Sequence, residues 1–206
     1  MITMRPQYQK EIEYRIEEYT GGYAFTAMDF LDIASMPVVN EALHRMNRRG
    51  DIERVISGVY YKPKYNELIG EKIVARMEDV AEALARKFNW SVAPAGNTAL
   101  NMLHLSTQVP NVWTYVSDGP YRKYEVGKRT IEFKHVKSGD IAGKNRITVM
   151  VIQALRTIGK ENVSKKHIDT LRRTLANQDK QIVLAEARTA TSWVYEAIKE
   201  VCKEVA

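Results

Sequence analysis

FTAMDFLDIASMPVVNEALHRMNRRGDIERVISGVYYKP, residues 25–63, is the stretch whose reading decides the fold. Thr26 and Asp29 have the spacing of a capping box, in which each side chain satisfies a free backbone N–H of the other's turn, and Phe25 and Phe30 flank them at hydrophobic-staple positions. A short helix over 27–34 follows. Ser35-Met36-Pro37 ends it and starts another, because proline disfavours helix before itself and suits a first helical turn. From Pro37 to Arg49, Val39, Ala42, Leu43 and Met46 fall on one face at helical spacing, and Asn40, Glu41, His44, Arg45 and Arg48 on the other. Gly50 terminates the helix. Residues 51–56 and 59–62 then read as two strands joined by Ser57-Gly58 and closed by Pro63.

Upstream, Tyr8, Ile12, Ile16 and Tyr19 recur at helical spacing until Gly21-Gly22. Helix, short helix, tight turn, longer helix with a polar-basic outer face, then hairpin is the order of a winged helix-turn-helix, expected over residues 1–66 with its boundary at Asn66–Glu67. In that fold the longer helix enters the major groove. Asn40 is suited to adenine, Arg45 or Arg48 to guanine, and His44 to a base or a phosphate. Arg49 and Arg54 stand where phosphate contact is expected, and Ser57 and Lys62 are wing contacts to the flanking backbone.

Downstream, residues 67–206 are expected to form an α+β domain. A helix is expected over 68–88, a short strand at 91–94, and a helix at 98–103. Strands are expected at 112–117, 123–126 and 130–136, with helices over 147–158, 165–176 after the cap Ser164, 181–188, and 192–205 after Thr191. The fold class is thus α+β, mixed over 67–140 and helical over 141–206.

Lys and Arg number 31 against 25 Asp and Glu, and the distribution matters more than the sum. Residues 1–66 balance at nine of each sign, 67–140 carry ten basic and nine acidic, and 141–206 carry twelve and seven. Within the balanced first third, residues 45–64 still gather Arg45, Arg48, Arg49, Arg54, Lys62 and Lys64 against Asp51 and Glu53, the local clustering that phosphate contact requires. No apolar run reaches the ~18–20 residues of a membrane span, and Met1–Pro6 has no signal-peptide character. The single cysteine, Cys202, forms neither an internal disulfide nor by itself a zinc site, which fits a reducing cytoplasm.

Catalytic patterns are sparse. The four histidines, 44, 104, 135 and 167, have no metal-ligand spacing, and no glycine-rich phosphate loop or activated nucleophile stands out, so no enzyme, cofactor or metal is expected. Asp118 with Glu132-Phe133-Lys134 does resemble the acid…acid-x-lysine arrangement of Mg²⁺-dependent nucleases. An alternating strand would instead turn Ile131 and Phe133 inward and leave Glu132 and Lys134 to solvent. The paired cations Lys165-Lys166 and Arg172-Arg173 read as a solvated helix surface or a docking patch for an acidic partner, and a winged helix can also serve as a protein-docking module.

Several blocks are similar to the AbiEi-type antitoxins of type IV toxin–antitoxin (abortive phage infection) systems. They are Phe25–Phe30, Val39–Met46, Gly50–Ile52 and Gly58–Pro63, continuing into Pro94-Ala95-Gly96-Asn97-Thr98-Ala99-Leu100-Asn101 and Leu105-Ser106-Thr107-Gln108-Val109-Pro110. The likeness covers roughly residues 10–135 and is weaker in the helical tail; the Gly96–Pro110 block is its more specific part. It implies a regulator that represses its own operon through double-stranded promoter DNA; on the helix-in-groove mechanism, two half-sites are expected if it binds as a dimer or as paired monomers. It further implies a remaining domain that counters a nucleotidyltransferase-type toxin without requiring a stable complex. Met46 stands where the family often has leucine, and His44 where small polar residues are frequent.

Overall fold

The computed structural model describes residues 7–68 and 70–203. The expectation for Met1–Pro6 and the last residues of the helix expected to 205 lie outside them. The chain divides into two compact units, the first ending at Trp90 and the second beginning at Ser91.

In the first unit, α1 (Gln7–Glu18) leads into β1 (Ala24–Phe25), a 3-10 turn over Ala27–Phe30, and α2 (Met36–Arg49). The hairpin strands β2 (Glu53–Ile56) and β3 (Val59–Tyr61) follow. The sheet order is β1-β3-β2, antiparallel throughout. Local chemistry explains each boundary. Thr26 Oγ1 accepts the Met28 N–H at 3.2 Å while Asp29 accepts the Thr26 N–H at 2.7 Å, forming the expected box around a 3-10 turn shorter than the expected helix. The Phe25 and Phe30 rings meet edge to face at 5.7 Å. Gly50 adopts φ 82°, the left-handed cap that costs an L residue most, and its N–H returns to α2 carbonyls. Ile12, Ile16, Phe25, Phe30, Val39, Leu43, Met46 and Ile52 form the core.

The segment expected as one helix over 68–88 is instead a second hairpin followed by a shorter helix. β4 (Lys64–Asn66) pairs with β5 (Glu71–Ile73), and α3 begins only at Met77 and runs to Phe88. Gly70 sits at φ 66°, which no α-helix contains, and its carbonyl accepts from the Tyr65 hydroxyl. The boundary expected at 66–67 falls inside the first unit because α3 packs on β1 and the 3-10 turn. Arg86 is the anchor. Its guanidinium pairs with Asp29 at 2.6 Å, donates to the Ala24 carbonyl at 2.9 Å and lies over the Tyr23 ring.

The second unit carries a four-stranded mixed sheet in the order β6-β7-β9-β8. Its strands are β6 (Val92–Pro94), β7 (Val112–Ser117), β8 (Arg122–Val126) and β9 (Arg129–His135), with β7 and β9 parallel. The helix α4 (Gly96–Met102) lies between β6 and β7 in sequence and packs on β7. The short α5 (Ser138–Ile141) precedes α6 (Arg146–Ile158), α7 (Lys165–Thr174), α8 (Asn177–Glu186) and α9 (Ser192–Cys202). Ser164 caps α7 as expected, accepting the His167 N–H, whereas Thr191 precedes α9 without a side-chain cap. Leu103, Val151, Leu155, Leu171, Val183 and Ile198 are central to the helical core. The fold class is α+β, ending in helices as expected. No helix among the described residues is long and apolar enough to cross a membrane.

Candidate nucleic-acid interface

Helix α2 exposes Asn40, His44 and Arg48, four residues apart in turn and therefore stacked along one stripe. Val39, Ala42, Leu43 and Met46 hold the opposite face in the core, so packing fixes the direction in which the stripe points. Arg48 and, on β2, the exposed Arg54 carry no ion pair or hydrogen bond among the described residues. Ser57 is exposed at the tip of the β2–β3 hairpin.

The other three expected contacts stand differently. Arg45 is five residues beyond Asn40, about 140° round the helix, so it leaves the outer stripe. It is half-buried at the flank of α2 facing α1, where Nη2 donates to the Tyr8 hydroxyl at 3.4 Å and Nε lies 4.0 Å from Glu41. Arg49 is held by Glu13 at 2.9 Å and Asp51 at 2.7 Å, and the bond to Asp51 above all raises its pKa. Lys62 pairs with Glu17. The carboxylates of α1 thus bind back part of the basic cluster, and the even charge balance of the first third becomes a spatial arrangement. The cations left open are Arg48 at the end of α2 and Arg54 on the hairpin.

One further residue joins this surface. Lys87, in the last turn of α3, donates from Nζ to the Ser57 carbonyl at 3.0 Å. It lies so close to the hairpin tip that a Cβ added to Gly58 would stand 2.6 Å from its ammonium. Thirty residues separate Lys87 from Ser57, and no local pattern signals that meeting.

At the base of the hairpin, Glu53 accepts from Lys72 and from the Tyr61 hydroxyl. The Lys72 bond is the main cause holding its pKa below the ordinary range, and the Tyr61 bond adds to it. Burial, then the bond to Glu53, pushes the Tyr61 phenol up to about 12. The second hairpin is thereby tied to the first.

The acid-lysine pattern in the second unit is internally engaged. Asp118 accepts the Ser91 N–H at 2.8 Å. Glu132, expected to face solvent, is only 9% exposed. The Tyr121 hydroxyl donates to it, with Lys123 at 3.3 Å and Lys134 at 3.7 Å, and the Tyr121 bond is the main cause lowering its pKa. Among the described residues no three His, Cys, Asp or Glu side chains are grouped to hold a metal ion.

The Gly96–Pro110 block has a structural part to play. Thr98 Oγ1 accepts the Thr114 N–H at 2.8 Å, Gly96 turns at φ 55° beside Thr114, and Asn101 donates to the Gln108 carbonyl at 3.0 Å. These bonds fasten α4 and the loop after it to the start of β7.

No curated protein matches the chain. Among solved structures, it is similar to the crystal structure of the RV2827C protein from Mycobacterium tuberculosis, with a TM-score of 0.45 and 11% identity over 97% of this chain and 77% of that one. The model of a family of unknown function, DUF6088, matches residues 11–183. The match takes in most of α1, the α2 stripe, the hairpins, the sheet of the second unit and most of its helices, and the chain belongs to the DUF6088 family.

Proposed function

We propose that the chain is a DNA-binding transcriptional regulator whose first unit acts as a winged helix-turn-helix. Its helix α2 would lie in the major groove of double-stranded promoter DNA, with the β2–β3 hairpin as the wing. The observation that carries this reading is the free outer stripe Asn40–His44–Arg48, directed outward by a packed inner face, together with the exposed, unpaired Arg54 on the hairpin. The element order from α1 to β3 supports it, as does the shared core, in which Ile52 joins the inner face of α2 and Tyr60 of β3 packs against the same cluster. Asn40 suits adenine, and Arg48 suits guanine or a phosphate. Arg54, Ser57 and Lys87 suit the flanking backbone.

The sequence blocks shared with AbiEi-type antitoxins extend the proposal to an autorepressor acting in the cytoplasm. Its functional partner is a nucleotidyltransferase-type toxin, countered without a stable complex. Nuclease footprinting on the DNA upstream of the chain's own gene tests this. Two protected half-sites about 10 bp apart centre to centre, or a multiple of that spacing, are expected for a dimer or paired monomers. Protection absent there, with a protein recovered in complex instead, would make the first unit a protein-docking module.

A further inference from the structure

Helices α7, α8 and α9 of the second unit enclose a surface cleft of about 640 Å³, within the usual range of ~300–1,000 Å³ for small-ligand sites. Its walls carry Arg172, Arg173, Asn177, Lys180, Gln181 and Lys203, and among the described residues no carboxylate lines it. Two carboxylates stand behind these cations. Asp169 takes Arg172 at 2.8 Å and Glu200 takes Lys203 at 2.6 Å, while the Glu200 carbonyl also accepts from Arg172 at 2.7 Å. Arg173 Nε reaches only the Asp169 carbonyl at 3.3 Å, and Lys180 only the Asn177 amide oxygen at 3.3 Å. Among the described residues, four cations against these two carboxylates leave two positive charges uncompensated. The Nε of Arg172 is buried and has no hydrogen-bond partner.

We infer that this cleft is a binding site for a phosphate-bearing anion. A phosphate monoester carries about −1.5 to −2 charges at neutral pH, matching the uncompensated charge. Its oxygens suit the planar fork of Arg173, the point charge of Lys180 and the amide donors of Asn177 and Gln181, with Arg172, already engaged by Asp169 and Glu200, adding positive charge to the wall. The cations converge on one recess instead of running as a stripe, which is the arrangement of a small-ligand site and not of a track for a duplex. The inference is independent of the DNA-binding reading, because every residue it uses lies in the second unit.

Cys202 provides the readout. It is the chain's one cysteine and stands on the cleft wall, donating its thiol to the Lys180 carbonyl at 3.4 Å. The rate at which a fluorescent maleimide labels the full chain is measured with inorganic triphosphate, with nucleoside triphosphates, with duplex DNA, and with sodium chloride at matched ionic strength. A filled cleft should slow labelling about tenfold at ten times the Kd. Equal protection by inorganic triphosphate and nucleotides identifies the phosphate group as sufficient, and stronger protection by nucleotides adds a base to the ligand. In Arg173→Gln/Lys180→Gln, two surface changes that should leave the melting temperature unaltered, the protection midpoint should rise at least about tenfold. Labelling unaffected by any phosphate, slowed equally by sodium chloride, slowed by duplex DNA alone, or slowed as well in the double variant would overturn the inference.

Discussion

Asp29 concentrates several interactions in one carboxylate. It accepts the Thr26 N–H that opens the 3-10 turn and pairs with Arg86 of α3, with its own side chain 12% exposed. Removing one partner of such a pair leaves the other charge poorly solvated as well as the N–H unsatisfied. Asp29→Ala is therefore expected to destabilise the chain by about 3 kcal/mol, measured by urea unfolding, with an unchanged m-value marking a loss of stability and not of two-state behaviour. The same residue shows what local sequence conveys. Thr26 and Asp29 are three positions apart, so their mutual capping was legible. Arg86 is 57 positions away from Asp29, so the pair between them was not. Arg45 and Arg49 follow the same rule. Their basic character was plain, but the groups that engage them, Tyr8 and Glu13, lie on α1, and only folding brings them together.

At the scale of elements, α2 and its hairpin were largely readable, because proline, glycine caps and 3.6-residue periodicity all act locally. The hairpin of β4 and β5 was not. Ile73, Met77, Val80, Ala81 and Leu84 keep helical spacing across the true start of α3, so periodicity alone merges β5 with α3; the extended backbone at Arg76 (φ −74°, ψ 141°), the residue before α3, separates them. Lys87 belongs to this scale, since it adds a cation from α3 to the hairpin tip. If the tip grips a phosphate, Lys87→Gln should weaken binding to all duplexes alike and lower the slope of log K against log salt by about 0.9, measured by titration at several ionic strengths. The β8–β9 pair offers a pH test. The Tyr121 bond above all lowers the Glu132 pKa. A depressed carboxylate contributes stability that is fully present above its unfolded value and lost as pH falls through its folded value. Wild type should therefore lose melting temperature more steeply than Glu132→Gln as pH drops from about 6 to about 3, with the difference confined below the ordinary glutamate range.

At the scale of the whole molecule, the α+β class and the helical ending were legible, because they need only the succession of periodicities. The extent of the first unit was not, since it depends on where α3 packs. A fragment ending at Trp90 should melt cooperatively. One ending at Asn66 lacks α3 and the Arg86 anchor and should melt broadly or not at all, as followed by circular dichroism. The central claim is that α2 reads duplex DNA through its free outer stripe. Its most direct test is fluorescence anisotropy of the full chain on its own upstream DNA and on a scrambled duplex, comparing wild type with Arg48→Ala and Arg45→Ala. The account predicts wild-type Kd values of about 10⁻⁸–10⁻¹¹ M on the upstream DNA, with Arg48→Ala costing about 1–3 kcal/mol and Arg45→Ala costing less. Equal, weak binding to both duplexes, or binding indifferent to Arg48→Ala, would contradict it.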